Sequence, residues 1–118
     1  MEQRTKRDSS LISLVSEFEA NFENGNVEYL NEKSFFQLIK YYEDDREYEK
    51  ALDVAKLALE QYRYRSDFYI SLCRLYLKLN KINDCLTCLE IAESIAPYEN
   101  EIIILKVRAL ALLILPLL

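Results

Sequence analysis

The sequence predicts an all-α chain of stacked helix pairs, on three observations. First, residue types recur thirty-four positions apart. Phe35 returns as Tyr69 and Ile103, Ile39 as Cys73 and Val107, and Tyr42 as Tyr76 and Leu110. Leu38 returns as Leu72, Ala51 as Cys85, Leu52 as Leu86 and Ala58 as Ala92. A period of about twenty to fifty residues marks a solenoid, whose units are too thin to bury a core alone and are stabilised by stacking. Second, the 118 residues include one glycine and two prolines, and the long segments between them are rich in Leu, Glu, Lys, Ala and Tyr, a helical composition. Third, apolar residues within those segments recur every three or four positions, as one face of a helix requires.

Six helices follow. The first is predicted from Ser9 or Ser10 to Glu23, with Leu11, Leu14, Val15, Phe18 and Phe22 on one face and Asn24-Gly25 as the stop. A connector leads to a second helix over 32–44, which buries Phe35, Leu38, Ile39 and Tyr42. The third covers 48–62. The fourth begins at Ser66 as N-cap, with Asp67 in its first turn, and runs to Leu79, where Asn80 suits a left-handed turn. The fifth covers 82–96 and ends before Pro97, which has no amide to donate. The sixth runs from Glu99 to Leu115. Connections of three or four residues make consecutive helices antiparallel neighbours.

Composition narrows the chemistry. The net charge is −5 with both signs mixed along the chain, which disfavours binding to a nucleic-acid backbone. Without histidine there is no Ser-His or Cys-His nucleophile pair and no mixed Cys/His zinc site. Gly25 alone cannot build a phosphate-cradling loop. Arg4, Lys6 and Arg7 precede an apolar stretch, Leu11 to Val15, that is short and broken by Ser13, so no signal peptide is predicted and a cytoplasmic setting with free thiols is the expectation. No enzyme, cofactor or metal is expected.

Two segments, 32–65 and 66–99, resemble tetratricopeptide repeats, which are helix-turn-helix units of 34 residues. The second carries the pattern of aromatic, leucine, small residue, tyrosine, alanine, apolar, alanine and proline as Tyr69, Leu72, Cys73, Tyr76, Cys85, Leu89, Ala92 and Pro97. The first reads Phe35, Leu38, Ile39, Tyr42, Ala51, Ala55, Ala58 and Arg63. It departs at Ile39, at Arg46 in place of the turn glycine and at Arg63 in place of proline, which predicts a widened pair and an irregular turn. A partial third unit over 100–118 keeps Ile103, Val107 and Leu110 but has Lys106 at the leucine position. Residues 1–31 supply a capping helix and connector, because Glu17, Asn21 and Asn24 do not fit the second-helix pattern. The resemblance implies one domain, a right-handed superhelix of antiparallel helix pairs that acts as a non-catalytic protein-interaction module or scaffold.

It also implies where a partner would lie. Lys40, Arg74 and Arg108 are spaced by thirty-four, at a first-helix position that in these repeats faces the concave groove, with Phe36, Ile70 and Ile104 one turn earlier. Such a groove suits an acidic or C-terminal-carboxylate segment, although Glu43, Asp44 and Asp67 near the same face mix its sign. The acidic cluster Glu43, Asp44, Asp45, Glu47 and Glu49 lacks calcium-loop spacing and reads as a solvated turn. Cys85 and Cys88 form a C-x-x-C; Cys73 and Cys85 occupy small-residue positions, so the trio reads as structural, with a thiol redox sensor as the alternative.

The C-terminus is the departure from an ordinary array. From Ile102 onward the only charges are Lys106 and Arg108, whereas the last helix of a solenoid is normally polar outside. About ten uninterrupted apolar residues ending at Pro116 are too few for a bilayer, which takes about twenty. Self-association through Leu110, Leu113 and Ile114 as a homodimer, or the covering of a different protein, is the expectation, with a membrane contact or the cut end of a longer repeat array as the remaining readings.

Overall fold

In a computed structural model the chain forms six α-helices: α1 (Glu2–Glu23), α2 (Glu32–Asp44), α3 (Tyr48–Gln61), α4 (Ser66–Lys78), α5 (Ile82–Ile95) and α6 (Asn100–Ile114), followed by a 3-10 turn at Leu115–Leu117. The structure describes residues 2–26 and 29–117, with backbone alone for 2–8 and 117. Met1, Val27 and Glu28 of the predicted cap and connector, Leu118 of the apolar run, and the side chains of Arg4, Lys6 and Arg7 lie outside it. No strand occurs among the described residues. Each helix packs on its neighbour in sequence, and α4 also meets α6.

The fold repeats at the level of single hydrogen bonds. At the end of α2, Arg46 N donates to Glu43 O at 3.0 Å and Glu47 N to Tyr42 O at 2.8 Å; thirty-four residues on, Asn80 N donates to Leu77 O at 3.0 Å and Lys81 N to Tyr76 O at 2.8 Å. Arg46 and Asn80 both take the left-handed conformation, with φ of 58° and 59°. The irregular turn expected at Arg46 is therefore not found: arginine adopts the conformation that asparagine adopts more easily. The connection after α3 recurs too. Tyr62 N donates to Ala58 O at 2.8 Å and Arg65 N to Tyr62 O at 3.3 Å, matched by Ala96 N to Ala92 O at 2.8 Å and Glu99 N to Ala96 O at 3.2 Å. Arg63 makes the same turn as Pro97 because this connection needs no missing amide.

Two clusters form the core. The first joins Val15 of α1 to Phe35, Leu38, Ile39 and Tyr42 of α2, to Ala51, Ala55 and Ala58 of α3, and to Phe68, Leu72 and Leu75 of α4. The second joins Ile70 and Cys73 of α4 to Cys85, Leu89 and Ala92 of α5 and to Ile102, Leu105 and Ala109 of α6. Helix α4 is apolar on both sides because it serves both. Ala51, Ala58, Cys85 and Ala92 have no exposed surface, so the small side chains stand where helices approach most closely.

Other boundaries differ from expectation in identifiable ways. Arg65, not Ser66, is the N-cap of α4, and no side chain caps it. Asn31 caps α2, its Oδ1 accepting from Ser34 N at 2.8 Å. Helix α1 begins seven residues before Ser9. Leu11, Leu14 and Phe18 pack against the first cluster as predicted, while Phe22 is largely exposed and stacks on Phe18 at 5.6 Å. Tyr42 Oη donates to Glu19 at 2.8 Å and joins α1 to α2. Tyr62 Oη donates to Leu30 O at 2.8 Å, and Leu30 N to Gln61 at 3.1 Å, which holds the connector against the end of α3.

Candidate interaction surfaces

The apolar row read from the sequence is graded along the chain. Phe36 is half-buried and stacks on Phe68 of α4, with ring centroids 4.5 Å apart and planes 15° from parallel. Ile70 is 2% exposed and belongs to the second cluster with Ile102 of α6. Ile104 is 57% exposed. The reason is positional. Phe36 meets α4, Ile70 shares its cluster with α6, and Ile104 has no such helix against it among the described residues.

The three cations also have different settings. Lys40 is exposed and pairs with Asp44 at 3.1 Å, one turn along its own helix. Arg74 is engaged inside the fold: Nε donates to Glu43 Oε2 at 3.0 Å, Nη2 to Glu43 Oε1 at 2.8 Å, and Nη1 lies 3.6 Å from Glu101. Hydrogen bonding to Glu43 pushes the guanidinium pKa up, against the opposing effect of burial. Lys78 approaches Glu43 at 4.0 Å and lies 5.2 Å from the centre of the Tyr48 ring. Arg108 is exposed and has no ion pair or hydrogen bond among the described residues. Arg74, Lys78 and Arg108 border a shallow groove of about 360 Å³ between α4 and α6, with Leu77, Leu105, Ala111 and Leu112 as its apolar wall. A wider groove of about 930 Å³ opens between α1 and α2 beside Leu11, Leu14 and Tyr41, where Lys33 and Lys40 face Asp44 and Asp45.

Among the described residues, helix α6 carries more exposed large apolar side chains than any other helix. It buries Ile102, Leu105 and Ala109, while Ile103, Val107, Leu110, Leu113 and Ile114 stand open to solvent by 39–62%. Lys106, at the position held by Leu38 and Leu72, reaches back to Glu93 of α5 at 3.2 Å. The sequence signalled the run of apolar residues; which of them point inward is decided by α4 and α5. No helix of the described residues is long and apolar enough to cross a membrane.

The thiols are brought together between α4 and α5. Cys73 and Cys85 are fully buried, and Cys73 Sγ donates to Cys85 O at 3.4 Å. Cys88 is half-buried, and all three are free. The neighbouring thiols of Cys85 and Cys88, with burial in addition, push the Cys73 thiol well above its ordinary range, and the neighbouring Cys73 thiol draws Cys88 down. No group of three or more Cys, Asp or Glu residues able to hold a metal is present among the described residues. Compared with protein-family models, curated proteins and solved structures, the chain matches none of them.

Proposed function

We propose that this chain is a non-catalytic protein-interaction module of tetratricopeptide-like helix pairs arranged as a right-handed superhelix, and that its main contact surface is the outer face of α6. The observation that carries this reading is the row Ile103, Val107, Leu110, Leu113 and Ile114, exposed on an ordered helix whose opposite face is core. Contiguous apolar surface of this kind marks an interaction site, and covering each such side chain stabilises a complex by about 1 kcal/mol or more. The thirty-four-residue recurrence of turn hydrogen bonds supports the repeat reading.

A photo-crosslinking residue in place of Val107, used in the protein's own cellular setting, is expected to give a protein adduct, while the same residue at exposed Asp53 of α3 gives none. Equal yields at both positions would remove the reading. Light scattering on the native chain and on Leu113→Glu shows whether the partner is a second copy. A dimer that becomes a folded monomer would assign Leu110, Leu113 and Ile114 to a homodimer interface.

A second surface has an observation of its own. Arg108, without an ion pair among the described residues, stands beside an apolar wall and suits a segment that ends in a carboxylate or carries Asp or Glu next to a leucine-like side chain. Arg108→Glu tests it. Partner affinity that is unchanged by the reversal excludes this groove.

A further inference from the structure

Helix α5 carries Cys85 and Cys88 one turn apart, and Cys73 of α4 reaches the same turn from across the pair. The placement follows from helix geometry. A helical carbonyl points along the axis toward the residues three and four positions on. The 3.4 Å contact from Cys73 Sγ to Cys85 O therefore sets the Cys73 sulfur in the turn between Cys85 and Cys88. Helical side chains lean back toward the N-terminus, so Cys88 leans into that turn while Cys85 leans away from Cys88 toward the turn before. Cys73, Cys85 and Ala92 have no exposed surface where α4 meets α5. Small side chains at such a contact permit the close Cα approach, within about 7 Å, that a disulfide needs.

The packing itself does not call for sulfur here. At the corresponding places of the first pair stand Ile39, Ala51 and Val54, all buried and none a thiol. Nor are the three cysteines equivalent. Cys73 and Cys85 are fully buried, while Cys88 is half-buried and packs against both core clusters, where α3, α4 and α5 meet. The neighbouring Cys73 thiol foremost, and Lys56 of α3, draw Cys88 below its ordinary range, against burial and Asp84 one turn before it. A partly exposed thiolate near a cation is the form that reacts with an oxidant, and a second thiol at hand converts the first product to a disulfide before further oxidation.

We infer that Cys88 is an oxidation site for small hydroperoxides and that Cys73 resolves it, giving a Cys73–Cys88 disulfide across α4 and α5. The Cys88 thiolate attacks the peroxide: an S–O bond forms, the O–O bond breaks, and hydroxide or alkoxide leaves and takes a proton from water. The Cys73 sulfur then attacks the sulfur of the Cys88 sulfenic acid. The S–S bond forms, the S–O bond breaks, and the departing hydroxide leaves with the Cys73 proton as water. Two electrons pass from the two thiols to the peroxide, and a dithiol reductant reverses the change by exchange. The disulfide staples the helix pair on which α6 packs, whatever partner the chain takes.

The test treats the reduced full chain with a modest excess of hydrogen peroxide, stops the reaction with catalase, unfolds and alkylates with N-ethylmaleimide, and weighs the product by mass spectrometry. One alkylated cysteine per chain is expected in place of three. In Cys85→Ala, which installs the residue that the first pair has at Ala51, none is expected in place of two. Cys88→Ser is expected to slow the loss of thiols at least tenfold, and Cys73→Ala to stop at a sulfenic acid that dimedone traps on Cys88. The disulfide form should unfold at higher urea than the reduced form, a shift that dithiothreitol abolishes. Three alkylated cysteines after peroxide, an unchanged rate in Cys88→Ser, or a bond that survives Cys73→Ala and so joins Cys85 to Cys88 overturns the inference. So does a doubled mass on a non-reducing gel, which would put the bond between copies. Circular dichroism checks the fold of each variant. Should Cys73→Ala fail to fold, Cys85→Ala decides the pairing, since it leaves Cys73 and Cys88 as the only thiols.

Discussion

Arg74 of α4 and Glu43 of α2 are joined by two hydrogen bonds, at 3.0 and 2.8 Å, across thirty-one residues of sequence. The Glu43 side chain is only 14% exposed, so the pair lies between the bulk-water and deep-core limits. Arg74→Met is expected to destabilise the fold by about 1–3 kcal/mol in urea unfolding, because it leaves a half-buried carboxylate with Lys78 as its remaining partner. A cycle with Glu43→Gln should show coupling of about 1 kcal/mol or more. Coupling within error of zero would mean that the pair is solvated. Arg74→Glu sets a carboxylate against Glu43 and Glu101 and is expected to destabilise the fold as well as alter the groove, which is why Arg108 is the residue to reverse.

Ala58 and Ala92 are fully buried at corresponding places in the two pairs. Replacing either with Leu should overpack its pair and cost about 1–3 kcal/mol by thermal or urea unfolding. A loss at Ala58 alone would mean that the second pair has slack that the first lacks.

Arg46 holds a left-handed conformation at φ 58°. Arg46→Gly removes the contact between Cβ and the carbonyl and is expected to stabilise by up to about 1 kcal/mol, while Asn80→Ile destabilises by a similar amount or more. Unfolding midpoints in urea check both. The Asn80 substitution also recreates in the second pair the residue found at Ile114.

Burial foremost, with the hydrogen bond to Glu19, pushes the Tyr42 phenol well above its ordinary value of about 10. The folded state therefore favours the protonated form. Its contribution is present in full below about pH 10 and falls as the pH rises from there toward the folded value. Tyr42→Phe should cost about 1 kcal/mol at neutral pH and flatten the loss of stability between about pH 10 and 12, read by circular dichroism during urea unfolding. Parallel profiles would mean that Tyr42 is solvated in the fold.

Cys73 and Cys85 are sealed in the second cluster and Cys88 is half-buried. Native labelling with a thiol reagent is expected to give one fast site per chain, lost in Cys88→Ser, and two sites that react only on unfolding. Three slow sites would end the redox alternative.

Much of the helix layout was legible because local signals were strong. Asn80 and Pro97 mark their ends within a residue or two, and the thirty-four-residue spacing located the turns. The start of α1 was hidden because residues 2–8 are polar and offer no apolar period, while Ser9-Ser10 imitate a cap. The contact row was legible as spacing but not as environment. Arg74 looked like a twin of Lys40 and Arg108 until α2 and α4 came side by side and Glu43 met it. Ile70 looked like a twin of Ile104 until it shared a core with α6. Periodicity reports equivalent positions; burial depends on whether the next helix is there.

The two clusters are separate, yet Tyr76 and Cys88 pack against both. The second is open at α6, so amides of α5 and α6 should exchange with solvent through fraying at free energies below that of global unfolding, while those of α2 and α3 wait for the whole molecule. Occupancy of α6 then becomes visible at a distance as slower exchange along α5 and α4, fading toward α1, so that the chain carries a record of its bound state far from the contact itself.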